Sequence, residues 1–144
     1  MLVKIKKLKP NAVIPTYAHG ANEDAGMDLV ASEDTILYPY QPQAVPTGLS
    51  IELPPGYEGQ VRSRSGMSLK HNVIVNNAPG TIDPGFRGEV KVILVNNNPE
   101  FVYTIKAGDR IAQLVIARYE VADWVEAELS DSERSVGGFG STGK

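Results

Sequence analysis

Apolar residues along this chain recur at every second position over short runs, and glycine or proline interrupts each run before it can lengthen. The clearest run is Glu89 to Val95, where Val90, Val92 and Leu94 fall on one face and Lys91, Ile93 and Val95 on the other. Alternation of period two is the mark of a β-strand. Similar runs at Val3–Ile5, Thr35–Leu37, Leu49–Leu53, Glu58–Arg62, Val73–Val75, Phe101–Ile105 and Arg110–Ile116 predict further strands. Turn sequences such as Pro54-Pro55-Gly56 and Asn96-Asn97-Asn98-Pro99 separate them. Many short strands punctuated in this way predict an all-β sandwich or barrel. One short helix is predicted inside the body, over about Ser65–Lys70. Long amphipathic helical patterns are absent, which counts against a doubly wound nucleotide-binding fold.

After Trp124 the pattern changes. Residues 126–133 are acidic and poor in large apolar side chains. The stretch Gly137-Gly138-Phe139-Gly140-Ser141-Thr142-Gly143 offers little to pack, and glycine loses much entropy on ordering. The chain thus divides into a β body over residues 1–126 and a mobile C-terminal arm over residues 127–144 with one aromatic anchor. No internal repeat is visible.

Bulk properties narrow the function. A chain of 144 residues suits one domain with a real core. The net charge of −3 argues against polymeric nucleic acid as a partner, since neutralising phosphates needs a basic face. Absence of cysteine removes disulfides, thiolate nucleophiles and cysteine-ligated zinc together. The start, MLVKIKKLKP, has lysines threaded through it and reads as neither signal peptide nor anchor. No segment approaches the roughly 18 apolar residues of a membrane span. The expectation is a cytosolic protein with no membrane partner.

Several local patterns could carry chemistry. Gly138 to Lys144 spells G-x-x-x-x-G-K, but a P-loop needs a strand before it, a helix after it and a hydroxyl residue beyond the lysine. That reading fails on context. What survives is a flexible run of N–H groups with the Ser141 and Thr142 hydroxyls, able to wrap an anion or to serve only as a linker. Arg62-Ser63-Arg64-Ser65-Gly66-Met67-Ser68 places guanidiniums and hydroxyls at a strand-to-helix junction, suited to a phosphate or, equally, to an N-capping serine with solvated arginines. Gly80-Thr81-Ile82-Asp83-Pro84-Gly85-Phe86 looks like a hairpin. Asp83 there either caps the turn or stands as a carboxylate able to take a proton from water. Asp28, in Ala25-Gly26-Met27-Asp28-Leu29, could hold a hydrated Mg²⁺ or lie in a solvated acidic loop. His19 and His71 lack the spacing of a zinc site.

Taken in order, five segments of the chain resemble the motifs of trimeric dUTPases. They are AGMDL at Ala25–Leu29, RSG at Arg64–Gly66, GTIDPGFRGE at Gly80–Glu89, GDRIAQLV at Gly108–Val115 and GGFGSTG at Gly137–Gly143. The resemblance spans nearly the whole chain. It implies a distorted jelly-roll-like β-barrel assembled as a homotrimer, each site shared between subunits and closed by the arm of a neighbour. The implied activity is Mg²⁺-dependent hydrolysis of dUTP to dUMP and pyrophosphate, which keeps uracil out of DNA and supplies dUMP for dTMP synthesis.

The resemblance also assigns roles. Asp83 would be the general base for water attacking the α-phosphate. Arg64, Ser65 and Gly66 would grip phosphates, Gln113 would contact the phosphate chain, and Asp28 would hold Mg²⁺ through water. Asn77 and the backbone at Gly80, Thr81 and Ile82 would read uracil in a hairpin too narrow for a thymine methyl. Lys91 aligns with a substrate-contacting position. In the arm, Phe139 would stack on uracil, Arg134 would meet the γ-phosphate, and Gly140, Ser141 and Thr142 would donate hydrogen bonds. Two departures stand out. Phe86 replaces the usual tyrosine, leaving a ring still able to crowd out a 2′-hydroxyl, and Arg134-Ser135 replaces the usual Arg-Gly. The alternatives are a dCTP deaminase-like enzyme of the same fold, which lacks such a glycine-rich last motif, and a non-catalytic nucleotide-binding regulatory protein.

Overall fold

In the computed structural model, which describes residues 1–139 and Ser141, the alternating runs become eleven strands around one short helix. In chain order they are β1 (Lys4–Lys7), β2 (Met27–Val30), β3 (Thr35–Leu37), β4 (Gln43–Pro46), β5 (Leu49–Glu52), β6 (Tyr57–Arg62), α1 (Ser65–His71), β7 (Val73–Val75), β8 (Gly80–Ile82), β9 (Lys91–Asn96), β10 (Tyr103–Ile105) and β11 (Arg110–Arg118). The period-two pattern sorts side chains as expected. On β9, Val92 and Leu94 are buried while Lys91 and Ile93 face outward. Both faces close over near its end, where Val95 and Asn96 are buried as well. One continuous core gathers Leu29, Leu37, Val45, Ile51, Val61, Val73, Leu94, Ile105, Ile111 and Leu114 from most of the strands.

Where the strands differ from the pattern, competing hydrogen bonds explain it. β9 begins two residues late because Val90 N–H donates to Leu49 O at 2.7 Å and Val90 O accepts from Thr47 N, so Val90 serves the Thr47–Leu49 turn. β10 begins late because Phe101 O accepts from the Asn96 side chain. β4 was not expected, since Val45 is its only large apolar residue. It lies at the edge of its sheet, where Pro46 costs no ladder bond.

The expected barrel does not close. Among the described residues the ladders form four separate sheets: β1-β5, β10-β3, β2-β11-β6-β8 and β4-β9-β7, all antiparallel. Strands of three or four residues between Gly/Pro turns end before their ladders can meet. The sheets are joined instead through the shared core and by side-chain ties such as buried Asn96, whose amide donates to Leu37 O and Phe101 O. The gap between β8, at the edge of one sheet, and β4-β9 in another positions the site described next.

Past β11 the chain leaves the body. The last backbone bond to the body among the described residues is Tyr119 N to Gly56 O. Beyond it Val121, Trp124, Val125, Leu129, Val136 and Phe139 are exposed.

Candidate active site

The turn after β8 is built as its sequence requires. Pro84 and Gly85 occupy its centre, and Phe86 N–H donates to Asp83 O at 3.1 Å. The expected hairpin does not form, however, because the chain does not pair back onto β8. β8 pairs with β6, and the returning limb runs elsewhere: Ser50 Oγ donates to Arg87 O, and Gly48 N–H donates to Glu89 Oε1 at 2.9 Å. Arg87 braces the turn, with Nη1 on Pro84 O and Phe86 O and Nη2 at 3.8 Å from Glu52. Asp83 is therefore held on a rigid, splayed turn, exposed to solvent.

That turn borders a cavity of about 290 Å³ in the seam between sheets. Val61, Gly80, Thr81 and Ile82 form one wall, Ala44, Lys91 and Ile93 another, and Asn77, Asp83, Phe86 and Glu89 line it from the loops. The seven sequence-predicted residues Asn77, Gly80, Thr81, Ile82, Asp83, Phe86 and Lys91 thus come together in one place. Two glycines shape it. A Cβ on Gly80 would stand 3.3 Å from both the Asn77 amide nitrogen and Val61 Cβ, so only glycine leaves the amide its position. A Cβ on Gly88 would lie 2.7 and 2.9 Å from the Phe86 ring, which rests over that glycine.

Other predicted residues assemble separately. Asp28 on β2, Gln113 on β11 and Arg62 on β6 lie in one register row across three adjacent strands. Asp28 is three-quarters buried or more and accepts from two guanidiniums, Arg64 Nε on Oδ1 and Arg110 Nη1 on Oδ2, each at 3.2 Å. Arg64 also donates to Arg110 O, which fixes the guanidinium at the strand end. The serine cap does not form: Arg64 itself is the N-cap without a side-chain bond, and Ser63 Oγ accepts from Val75 N instead. Ser65 and Gly66 stay exposed, with open space around Gly66. This cluster shares no residue with the wall of the Asp83 cavity.

The third group is the arm. Arg134 Nε donates to Gly137 O at 2.9 Å within the arm, and Phe139 is fully exposed. Ser135 adopts φ 45°, the left-handed conformation that glycine would take without strain. Ser141 N–H donates to Gly138 O. The predicted contacts of Gly140 and Thr142 lie outside the described residues.

Two residues at these sites were not singled out from sequence. Arg110 reaches Asp28 through a bulge in the β11–β2 register that no linear pattern reveals. Glu89 precedes β9, but its place two residues before Lys91 in the alternating run was a signal that could have found it. As for a metal, no three acidic or histidine side chains cluster among the described residues. Asp28 has one lone pair unspent on each carboxylate oxygen after its arginine bonds. That suits a hydrated Mg²⁺ held by one carboxylate together with phosphate oxygens.

Comparison with known proteins identifies the family. The dUTPase family model matches residues 11–143. Deoxyuridine 5'-triphosphate nucleotidohydrolase of Solibacter usitatus is 56% identical, covering 100% of this chain and 97% of the relative. The enzyme of that name from Thermobifida fusca is 51% identical, over 98% of this chain and 78% of its own length. Among solved structures, a variant dUTPase of Staphylococcus bacteriophage 80alpha with dUpNHpp superposes with a TM-score of 0.90 at 29% identity, over 99% of each chain. A variant dUTPase of phage phi11 of S. aureus, described with a structural Mg(II) ion, gives a TM-score of 0.82 at 26% identity, over 92% of this chain and 100% of its own. With a family match across almost its full length and relatives at half identity or better, the chain belongs to the dUTPase family.

Proposed function

We propose that this chain hydrolyses dUTP to dUMP and pyrophosphate, with water attacking the α-phosphate and Asp83 acting as general base. The observation that carries this reading is the joining of the Asp83 carboxylate, the Asn77 amide and the β8 backbone around one small cavity. Small-molecule clefts run from about 300 to 1,000 Å³. A cavity at the bottom of that range suits a base and its sugar and leaves the triphosphate outside. Asn77 and the backbone at Gly80, Thr81 and Ile82 supply donors and acceptors for the uracil edge. Phe86 lies where a ring can pack beneath the sugar and exclude a ribose 2′-hydroxyl, and Lys91 adds a cation at the wall.

The phosphates then need a second set of donors. Arg64, Ser65, Gly66 and Gln113 supply them in this reading, but they lie away from the cavity in the same chain. A complete site therefore combines the cavity of one subunit with the arginine cluster of another, as a homotrimer of jelly-roll subunits would arrange. Phosphoryl transfer is catalysed mainly by positioning and charge neutralisation. Asp28 would hold Mg²⁺ through water, and the bound ion would neutralise phosphate charge. The arm, residues 127–144, would close over a neighbour's site, with Phe139 on the uracil, Arg134 on the γ-phosphate, and Gly140, Ser141 and Thr142 as late donors. Its exposed apolar side chains support this role, since nothing in the chain's own body covers them.

No helix among the described residues is long and apolar enough to cross a membrane. A cytoplasmic enzyme that keeps uracil out of DNA and supplies dUMP fits that observation. The deaminase and regulatory alternatives gain no support from the site. A nucleotide panel of dUTP, dCTP, dTTP and UTP, read by pyrophosphate and ammonia release with and without a chelator, tests the reading. Pyrophosphate from dUTP alone, lost on chelation, is expected; ammonia from dCTP would replace it with the deaminase.

A further inference from the structure

Three charged side chains line the Asp83 cavity: Asp83 itself, Glu89 and Lys91. Lys91 opens β9 and Glu89 stands in the loop two residues before it, and both side chains line the cavity. Glu89 is fixed. Its Oε1 accepts the Gly48 N–H at 2.9 Å, and Gly48 sits at φ +71° in a turn so close that a Cβ there would stand 3.0 Å from Ala12. Its Oε2 lies 3.8 Å from Lys91 Nζ, with the Glu89 side chain one-fifth exposed and Lys91 half exposed. Lys91 is the mobile member, a compact cation on a four-carbon stem.

The other cation beside the turn is also engaged. Arg87 bonds to Pro84 O and Phe86 O and faces Glu52, itself paired with Lys4. The cavity walls from β4, β6 and β8 carry no charge, being Ala44, Val61 and Gly80 to Ile82. Among the described residues no ion pair reaches Asp83. A cation within about 4–6 Å of a carboxylate favours its charged form and weakens it as a base.

We propose that Glu89 is a positioning residue that holds the Lys91 ammonium against the cavity wall and so keeps Asp83 free of a cationic partner and open to water. This rests on the reading of Asp83 as general base. Released from Glu89, Lys91 swings to Asp83, occupies the oxygen meant for water and lowers its basicity.

The test compares the parent protein with Glu89→Gln, Lys91→Met and the double variant, measuring pyrophosphate release from saturating dUTP across pH. Glutamine keeps an oxygen for the Gly48 N–H and loses only the charge. Glu89→Gln is expected to lower kcat roughly three- to tenfold and to move the acidic limb of the profile to lower pH. Adding Lys91→Met returns the limb to the parent's position. An unmoved limb in Glu89→Gln, or a shift that survives in the double variant, overturns the proposal. Glu89→Asp guards against a folding artefact: it keeps the charge and should keep the parent's limb, whereas a shift equal to that of Glu89→Gln would assign the effect to lost anchoring. Normal turnover by Asp83→Asn would remove the underlying reading, while an inactive Asp83→Asn beside an unmoved Glu89→Gln limb would remove Glu89's role alone.

Discussion

Phe86 and Gly88 form the smallest unit at which the proposed selectivity for deoxyribose can be tested. The ring rests so close over the glycine that any Cβ at position 88 must displace it. Phe86→Ala should therefore weaken discrimination against UTP, by roughly tenfold if the ring's contact with the sugar contributes about 1.4 kcal/mol. Gly88→Ala should reproduce much of that loss, because the ring tip is the part free to move. Ratios of kcat/KM for dUTP and UTP check both, and unchanged ratios would show that the sugar is sensed elsewhere. At this scale the sequence was informative where chemistry is local. Asp83 and the Pro84-Gly85 turn could be read from the seven residues Gly80 to Phe86. Arg110 could not, because its contact with Asp28 depends on a bulge in strand pairing.

Elements were legible in proportion to their alternation. β9 and β11 announce themselves, whereas β4 carries a single large apolar side chain and exists because β9 offers it an edge. The hairpin expected around Asp83 gave way to a splayed turn because the returning limb finds partners at Ser50 and Gly48, which local sequence does not show. Asn96 illustrates the same dependence on distant partners. Fully buried, it ties the end of β3 to the segment before β10 through Leu37 O and Phe101 O and accepts from Asn98 N. Asn96→Ala would leave these groups unpaired and should destabilise the fold by about 2–3 kcal/mol, read as a lower denaturation midpoint. A midpoint equal to the parent's would show that water replaces the amide.

In the whole molecule the residues proposed for the site fall in separate groups, and their assembly can be probed as such. Removal of residues 134–144 should reduce turnover roughly a hundredfold while leaving the melting transition in place, because the arm contributes donors and no core. A lost transition would make the arm structural. Shared sites, as proposed, predict more: mixing the truncated chain with Asp83→Asn, each strongly impaired alone, should raise activity above that of either after subunit exchange, at a solution mass about three times 15.5 kDa. Activity that never returns would place all parts of a site in one chain. The fold also sets an acid limit. Backbone N–H bonds and neighbouring Lys106 hold Asp34 below its ordinary range, the His19 backbone and ring do so for Asp24, and Lys4 for Glu52. Groups with depressed folded values stabilise above their unfolded values and lose that contribution as pH falls through the folded ones. Melting temperature should hold down to about pH 5 and drop below about pH 4, and Asp34→Asn should flatten the drop. An acid slope identical in Asp34→Asn would remove that carboxylate from the account.

The sequence conveyed the family, and seven of the residues it singled out line one cavity, yet the barrel it implied is, among the described residues, a set of four short ladders, and the open seam between them holds that cavity. The central claim is that the Asp83 carboxylate activates water there. The most direct measurement is pyrophosphate release from dUTP by the parent and by Asp83→Asn, paired with binding of a non-hydrolysable dUTP analogue. The account predicts that the variant turns over about 10² to 10⁴ times more slowly while binding the analogue nearly as well as the parent. Turnover by Asp83→Asn at the parent's rate would contradict it.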